Sequence, residues 1–292
     1  MNKNVITSYK GFDKNMQCRG FQYEVGKEYE MDGEIKCCNR GFHACKSPLE
    51  VWDYYDILNS RYAEVEQSGK IDAEENTTKV CSSRIKIKAE LKLADIINIG
   101  VEWLKDITSP SKVKTYGELN DNGDRRKQIG SSGYSAQIGS SGYSAQIGSS
   151  GDSAQIGSSG YSAKIGSSGD YAKIGSSGDS AKIGSSGYSA KIGSSGDYAK
   201  IGSSGDYAQI GSSGDYAKID STGEDSVIMC AGNNSKAKAK IGSWITLAEW
   251  KWSDEKKRDV PVCVKTEYVD GENIKADTWY QLKNGKFVEV NE

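Results

Sequence analysis

Residues 129–164 read IGSSGYSAQ-IGSSGYSAQ-IGSSGDSAQ-IGSSGYSAK, and the same nine-residue unit continues to Lys218. Ile129, Ile138, Ile147 and their successors to Ile219 recur at every ninth position, which makes ten intact copies of I-G-S-S-G-x-y-A-z. Here x is Tyr or Asp, y is Ser or Tyr, and z is Lys or Gln. A degraded copy, IDSTGEDSV, follows from Ile219, and LNDNGDRRKQ from Leu119 reads as a broken first copy. A short fixed period with atypical ends is the signature of a solenoid with capping units. A flexible Gly/Ser linker has similar composition, but it does not need Ile and Ala at fixed places. Ala and Ile in A-z-I lie two residues apart, on one face of a strand, so each unit predicts a short strand and a corner. The glycines of G-S-S-G are expected to supply the positive φ that a tight corner needs. Two units per coil give an 18-residue coil, so ten units predict five coils stacked at about 4.8 Å each.

In that register the z residues fall into two columns. One holds Gln146, Lys164, Lys182, Lys200 and Lys218; the other holds Gln137, Gln155, Lys173, Lys191 and Gln209. Asp179, Asp197 and Asp215 stack three residues before the last three lysines of the first column, which predicts a partly self-neutralised surface.

The flanks differ in character. Residues 1–118 read as an α+β head, residues 119–236 as the solenoid, and residues 237–292 as a β-rich cap. In the head, VITSYKGF, FQYEVGKEYE, RYAEVEQ and the alternating Arg84–Leu91 segment predict strands, with a turn at Asp32-Gly33 before EIKCC. Ser47-Pro48-Leu49-Glu50 predicts a helix start running into VWDYYDIL, and 92–108 has helical spacing. In the cap, KIGSWITLAEWKW and VPVCVKTEYV predict strands, and Asn284-Gly285 predicts a two-residue hairpin turn. Trp244, Trp250, Trp252 and Trp279 are expected to shield the open solenoid end. The fold class is therefore mainly β: a nonapeptide-repeat β-solenoid between an α+β head and a small β-rich cap.

Composition narrows function more than it assigns it. The chain has 292 residues, 38 Lys+Arg against 40 Asp+Glu, one His and seven Cys. That balance gives no pull toward nucleic acid or an anionic membrane, so direct nucleic-acid binding is not expected. No apolar run approaches a membrane span, and MNKNVITSYKGF lacks an apolar signal core. An odd number of cysteines without an export signal predicts free thiols in a reducing cytosol. Cys37, Cys38, His43 and Cys45, with Cys18, form the densest cluster of metal-capable residues. Their spacing fits no common zinc pattern, and buried free thiols are the plainer account, so no metal or other cofactor is expected. Cys45 with His43 has no visible oxyanion partner for nucleophilic catalysis. Calcium-binding nonapeptides need an Asp that Tyr cannot replace, yet Tyr134, Tyr143, Tyr161 and Tyr188 take the x position here. Nine acids against six lysines between 129 and 228 are too few for a phosphate-rod mimic.

ITSYKGFDKNMQCRGFQYEVGKEYE, CCNRGFHACKSPLEVWDYY and RYAEVEQSGKI, with the C-terminal VCVKTEYVDGENIKADTWYQLKNGKFVEV, resemble a family of uncharacterised phage and prophage proteins. In these an N-terminal domain of unknown function precedes short Gly/Ser-rich repeats. The resemblance implies a phage-encoded protein in the bacterial host cytoplasm. Small phage accessory proteins of this kind often bind and block a host defence complex, including CRISPR-Cas. The expectation is a non-enzymatic interaction protein whose partner is a host protein or ribonucleoprotein. Its binding surface would be Tyr134, Tyr143, Tyr161, Tyr171, Tyr188, Tyr198, Tyr207 and Tyr216 with Lys164, Lys182, Lys200 and Lys218. A weaker resemblance links Tyr9-Lys10-Gly11-Phe12, Gly41-Phe42-His43-Ala44 and Tyr54-Tyr55 to ADP-ribosyltransferase-like folds. There Lys10 stands where Arg or His is expected, and Glu64 and Glu66 fit the catalytic carboxylate only loosely. A third expectation is a structural phage accessory protein. Exposed solenoid ends favour self-association where caps are incomplete, so a homo-oligomer is also open.

Overall fold

A computed structural model describes residues 5–75, 77–108 and 127–291. The chain divides into two compact units, Met1–Trp103 and Leu104–Glu292. The expected head–solenoid boundary at 118/119 and most of the broken first copy from Leu119 lie outside the described residues.

The first unit is β-rich with one helix. Its strands are β1 (Ile6–Phe12), β2 (Gln17–Cys18), β3 (Phe21–Gln22), β4 (Glu28–Glu30), β5 (Phe42–Cys45), β6 (Arg61–Ala73) and β7 (Lys79–Leu91), followed by α1 (Leu93–Ile107). The main sheet runs β4-β7-β5-β1-β6, and β7 also pairs with β6, so β1, β5, β7 and β6 close into a ring of antiparallel pairs. Phe12, Val65, Ile85 and Ile87 are fully buried in its core. Helix α1 starts with one half of a capping box, in which the Asp95 carboxylate accepts the Lys92 N–H at 2.8 Å. Its Ile96, Ile97 and Val101 are buried, and Gly100 lets Leu49 approach so closely that a Cβ there would meet Leu49 Cδ2 at 2.6 Å.

Two local expectations fail in this unit. The helix expected after Ser47-Pro48 is a five-residue 3₁₀ turn, Leu49–Asp53. Glu50 does not close a capping box; its buried carboxylate accepts the Thr78 N–H at 3.2 Å. FQYEVGKEYE is broken at Gly26, which takes φ +86° and donates to the Ile87 carbonyl. EIKCC forms a tight turn closed by paired Lys36–Arg40 backbone hydrogen bonds, both 2.9 Å.

The second unit is the solenoid with its cap. Four-residue strands z-I-G-S begin at Gln128, Gln137, Gln146 and every ninth residue to Gln209, and K-I-D-S follows from Lys218. They alternate between two parallel sheets, so Gln146–Ser149 pairs with Lys164–Ser167 and Gln155–Ser158 with Lys173–Ser176. Each coil is therefore 18 residues, as expected. The expected five coils become about seven: degraded rungs at Val227–Cys230, Lys236–Lys238 and Trp244–Leu247 continue both sheets, past the expected 236/237 boundary. Ile147, Ile165, Ile183, Ile201 and Ile219 stack in register and are fully buried, as are Ala145, Ala163, Ala181, Ala199 and Ala217. Each such Ile contributes about 1.5–3 kcal/mol of burial, so a column of five is a continuous stabilising spine.

The corners differ from expectation in two ways. The residue with positive φ is not glycine but y: Tyr171, Ser180, Ser189, Tyr198, Tyr207 and Tyr216 lie between 53° and 58°. This strain costs about 1–2 kcal/mol per residue. It is met by a bond between coils, as where the Tyr171 N–H donates to the Tyr188 carbonyl at 2.8 Å. The second glycine of each unit is required by contact instead: a Cβ on Gly178 would overlap the Gly160 carbonyl of the coil before. The first Ser of the pair lies in the strand, pointing inward, as Ser167, Ser185 and Ser203 do at 0% exposure.

The cap closes the rungs by antiparallel pairing. Trp244–Ser253 pairs with Arg258–Tyr268, and Ala237 pairs with Tyr280 of the Tyr280–Lys283/Lys286–Glu289 hairpin. The hairpin turn is at Asn284-Gly285, both at positive φ, as expected. Tyr280, Leu282, Val269 and Ile274 join the solenoid core. The tryptophans do not all shield that end: Trp244 and Trp252 are exposed, whereas Trp279 is buried, with the Lys236 and Lys238 ammonium groups 5.5 and 5.2 Å from its ring. Among the described residues no helix is long and apolar enough to cross a membrane.

Candidate functional site

Two regions concentrate side chains able to recognise or transform something. The first is the solenoid's pair of corners. Because successive corners belong to opposite edges, the eight tyrosines split into two sets. Tyr134, Tyr171, Tyr188 and Tyr207 share one edge, and Tyr143, Tyr161, Tyr198 and Tyr216 share the other. All eight are exposed, from 42% at Tyr188 to 77% at Tyr134. Tyr143 stacks on Tyr161 with centroids 5.2 Å apart, and Tyr198 on Tyr216 at 5.0 Å, while Tyr171, Tyr188 and Tyr207 form a tilted run.

Where x is Asp, its carboxylate serves the backbone. Asp170 Oδ1 accepts the Tyr188 N–H at 2.8 Å, Asp179 Oδ1 the Asp197 N–H at 2.9 Å, and Asp197 Oδ1 the Asp215 N–H at 2.8 Å. The acids of the edge therefore join coil to coil, a role the stacked-charge reading did not foresee. The expected lysine ladder is not an open surface: Lys164 is buried at 1% exposure, and Lys182, Lys200 and Lys218 are half-buried. The opposite sheet is the open one. Gly139, Gly157, Gly175, Gly193 and Gly211 have nothing within 4 Å of a Cβ position, and they form a shallow trough beside Gln155, Lys173 and Lys191.

The second region is a cleft of about 1230 Å³ in the head, lined by Lys10, Cys18, Arg19, Tyr23, His43, Tyr54, Tyr55 and others. Lys10 projects from β1 at 3% exposure, donating to the His43 carbonyl at 2.9 Å and to Cys18 Sγ at 3.6 Å. Its ammonium lies 5.5, 5.6 and 5.9 Å from the Phe12, Tyr23 and Tyr55 rings. Burial pulls the Lys10 pKa down, and the neighbouring Cys18 only partly opposes this. Burial and the charges of Lys10, Lys79 and Arg19 likewise hold His43 below its usual range. Tyr55 Oη and Cys18 Sγ lie 2.9 Å apart, and burial raises the Tyr55 pKa. The carboxylates that the ADP-ribosyltransferase resemblance would use do not line this cleft. Glu66 is paired with Lys88 at 2.8 Å, and Glu64 lies across from Tyr9 in the β1–β6 ladder.

The expected thiol cluster is rearranged. All seven cysteines are free. Cys37 and His43 come together, but with Cys81 rather than with Cys45 or Cys18. Cys45 is buried among Lys10, Glu50 and Asp53, and burial raises its thiol pKa. Cys81 lies 38 residues beyond His43, and only the β5–β7 register, which sets His43 opposite Cys81, reveals the neighbourhood.

No curated protein and no solved structure matches the chain. Residues 6–99, which span β1 to the middle of α1, carry a domain of the family described as a domain of unknown function (DUF7666).

Proposed function

We propose that the protein is a non-enzymatic, phage-encoded interaction protein that uses the tyrosine-bearing edges of its solenoid to hold and block a host protein or ribonucleoprotein complex of a defence system. The observation that carries the reading is the set of eight exposed tyrosines fixed at coil spacing by hydrogen-bonded backbone. Tyrosine dominates protein-binding hot spots because it offers a large amphipathic surface and loses little rotamer freedom. A rigid edge loses little further entropy on binding, so ring contacts translate efficiently into affinity.

The repeat supplies its own control substitutions. Asp is the natural alternative at x and Ser at y, so Tyr143→Asp, Tyr161→Asp, Tyr198→Ser and Tyr216→Ser together strip one edge with residues the coil already accommodates. Tagged protein incubated with bacterial lysate should retain a stoichiometric complex, identified by mass spectrometry, and the four-fold variant should lose it without a matching loss of thermal stability. Retention by that variant, together with retention by its counterpart on the other edge, would remove the reading. Recovery of the protein in purified virions with no retained complex would favour a structural particle role instead.

The cleft around Lys10 supports a second reading, an enzyme acting in the head. Incubation with NAD and assay for released nicotinamide tests it, and no release above a Lys10→Met control removes it.

A further inference from the structure

Cys37, His43 and Cys81 meet through three separate pieces of backbone. Strand β5 pairs with β7 so that His43 is directly opposite Cys81, and side chains opposite each other in an antiparallel ladder point to the same face. The turn closed by the Lys36–Arg40 bonds folds Cys37 over this pair. Both Sγ atoms and one imidazole nitrogen lie within 4.8 Å of one another. Tetrahedral zinc, with bonds of about 2.0–2.3 Å, sets its ligands roughly 3.5–3.8 Å apart. Shifts on the order of 1 Å would bring the three donors onto those positions.

The surroundings are those of a held site rather than a chance meeting. Gly41 has φ +139°, and a Cβ there would come within 3.1 Å of Cys81 Cβ and 3.2 Å of its Sγ, so glycine keeps the space beside the thiol clear. The Cys37 N–H is fixed by Asp72 Oδ2 at 2.8 Å. The His43 ring is oriented by its bond to the Gly41 backbone, and its Nε2, which accepts the Cys38 N–H at 3.0 Å, must exchange that bond for the metal. Ligating imidazoles are characteristically oriented by such a carbonyl partner. Two thiolates and one imidazole are a soft-to-borderline donor set, which selects Zn²⁺ and its surrogates over Ca²⁺ or Mg²⁺.

We propose that Cys37, His43 and Cys81 form a zinc site in the head domain, its fourth position taken by solvent. Binding exchanges two S–H bonds for two metal–thiolate bonds and releases two protons per ion, so affinity falls as pH falls.

The test is titration of the reduced full-length chain with Co²⁺, a spectroscopic stand-in. One equivalent should produce thiolate-to-cobalt charge-transfer absorption, which Zn²⁺ should then abolish by displacement. Cys37→Ser and Cys81→Ser should each lose the band, while Cys45→Ser and Cys230→Ser keep it. Should the ligand variants misfold, mapped alkylation of the wild-type chain decides: Zn²⁺ should protect Cys37 and Cys81. Absence of a thiolate band, or zinc protection of any other cysteine pair, overturns the proposal.

Discussion

Gly175 and Gly178 sit three residues apart in one repeat, and their replacement by alanine should have opposite consequences. At Gly175 the backbone is not left-handed and a Cβ meets nothing within 4 Å. Alanine there restricts the unfolded chain without straining the folded one, a gain of about 0.4–1 kcal/mol. At Gly178 the same methyl would lie on the Gly160 carbonyl, 2.6 Å from its carbon. Ordinary contact is about 3.4 Å or more, so the coil must open locally by on the order of 1 Å. Overpacking of this kind costs about 1–3 kcal/mol. The flanking bonds between coils, Ser177 N–H to the Ser158 carbonyl and Lys182 N–H to the Ala163 carbonyl, both 2.9 Å, would lengthen as well. With about 1 kcal/mol for each of the two weakened bonds, the total loss is roughly 3–5 kcal/mol. For a unit of this size that is a melting decrease of roughly 6–20 °C, against a rise of a few degrees for Gly175→Ala. Circular dichroism melting of both variants is the assay, and amide exchange should localise the damage to the coils around 160–182. Equal effects of the two substitutions would refute the contact argument.

Three further outcomes follow from groups described above or in the cap. Lys10 has a lowered pKa in the fold, so between that value and its ordinary 10.5 the unfolded chain binds the extra proton, and stability should rise with pH across this window. Urea titrations of wild type minus Lys10→Met should show the slope; identical pH profiles would deny that Lys10 is buried as a strained cation. In the cap, Asp270 is held near pKa 2 by the Asn273 side chain and the N–H groups of Ile274 and Glu272. Its contribution is therefore complete above about pH 4 and is lost as pH falls toward 2, and exchange at Ile274 should accelerate in that range and at neutral pH in Asp270→Ala. Asp197→Ala should free the Asp215 N–H and speed its exchange roughly fivefold, while Asp197→Asn, which keeps an acceptor oxygen, should not.

The solenoid was legible because Ile and Ala repeat at every ninth residue and a strand reads two residues as one face. Its length was not, because the last rungs change both residue and spacing. Ala237 stands in register with Ile219, and Ile245 follows Ile228 at 17 residues rather than 18, so the period hides where pairing continues. The corner chemistry was misread for a related reason. Glycine has two uses, positive φ and close approach, and the sequence does not say which one Gly178 fulfils. Exposure was partly legible: the tyrosines are where an edge would put them, but nothing in K-I-G-S tells that Lys164 is buried. In the head, long-range pairing decides the site. Cys81 lies just before the alternating Arg84–Leu91 segment, where the sequence attaches nothing to it, and only its ladder position beside His43 gives it company.

The 18-residue coil has a consequence for how such a gene can change. Tandem DNA repeats gain and lose copies by replication slippage in whole units, here 27 nucleotides, or nine residues. One unit is half a coil, so a single-copy change would send every downstream strand to the opposite sheet and force the cap to meet rungs built for its other side. Slippage by two copies restores the phase and merely lengthens or shortens the rod by about 4.8 Å. The architecture therefore acts as a parity filter, and chain lengths that survive selection should differ in even numbers of repeats.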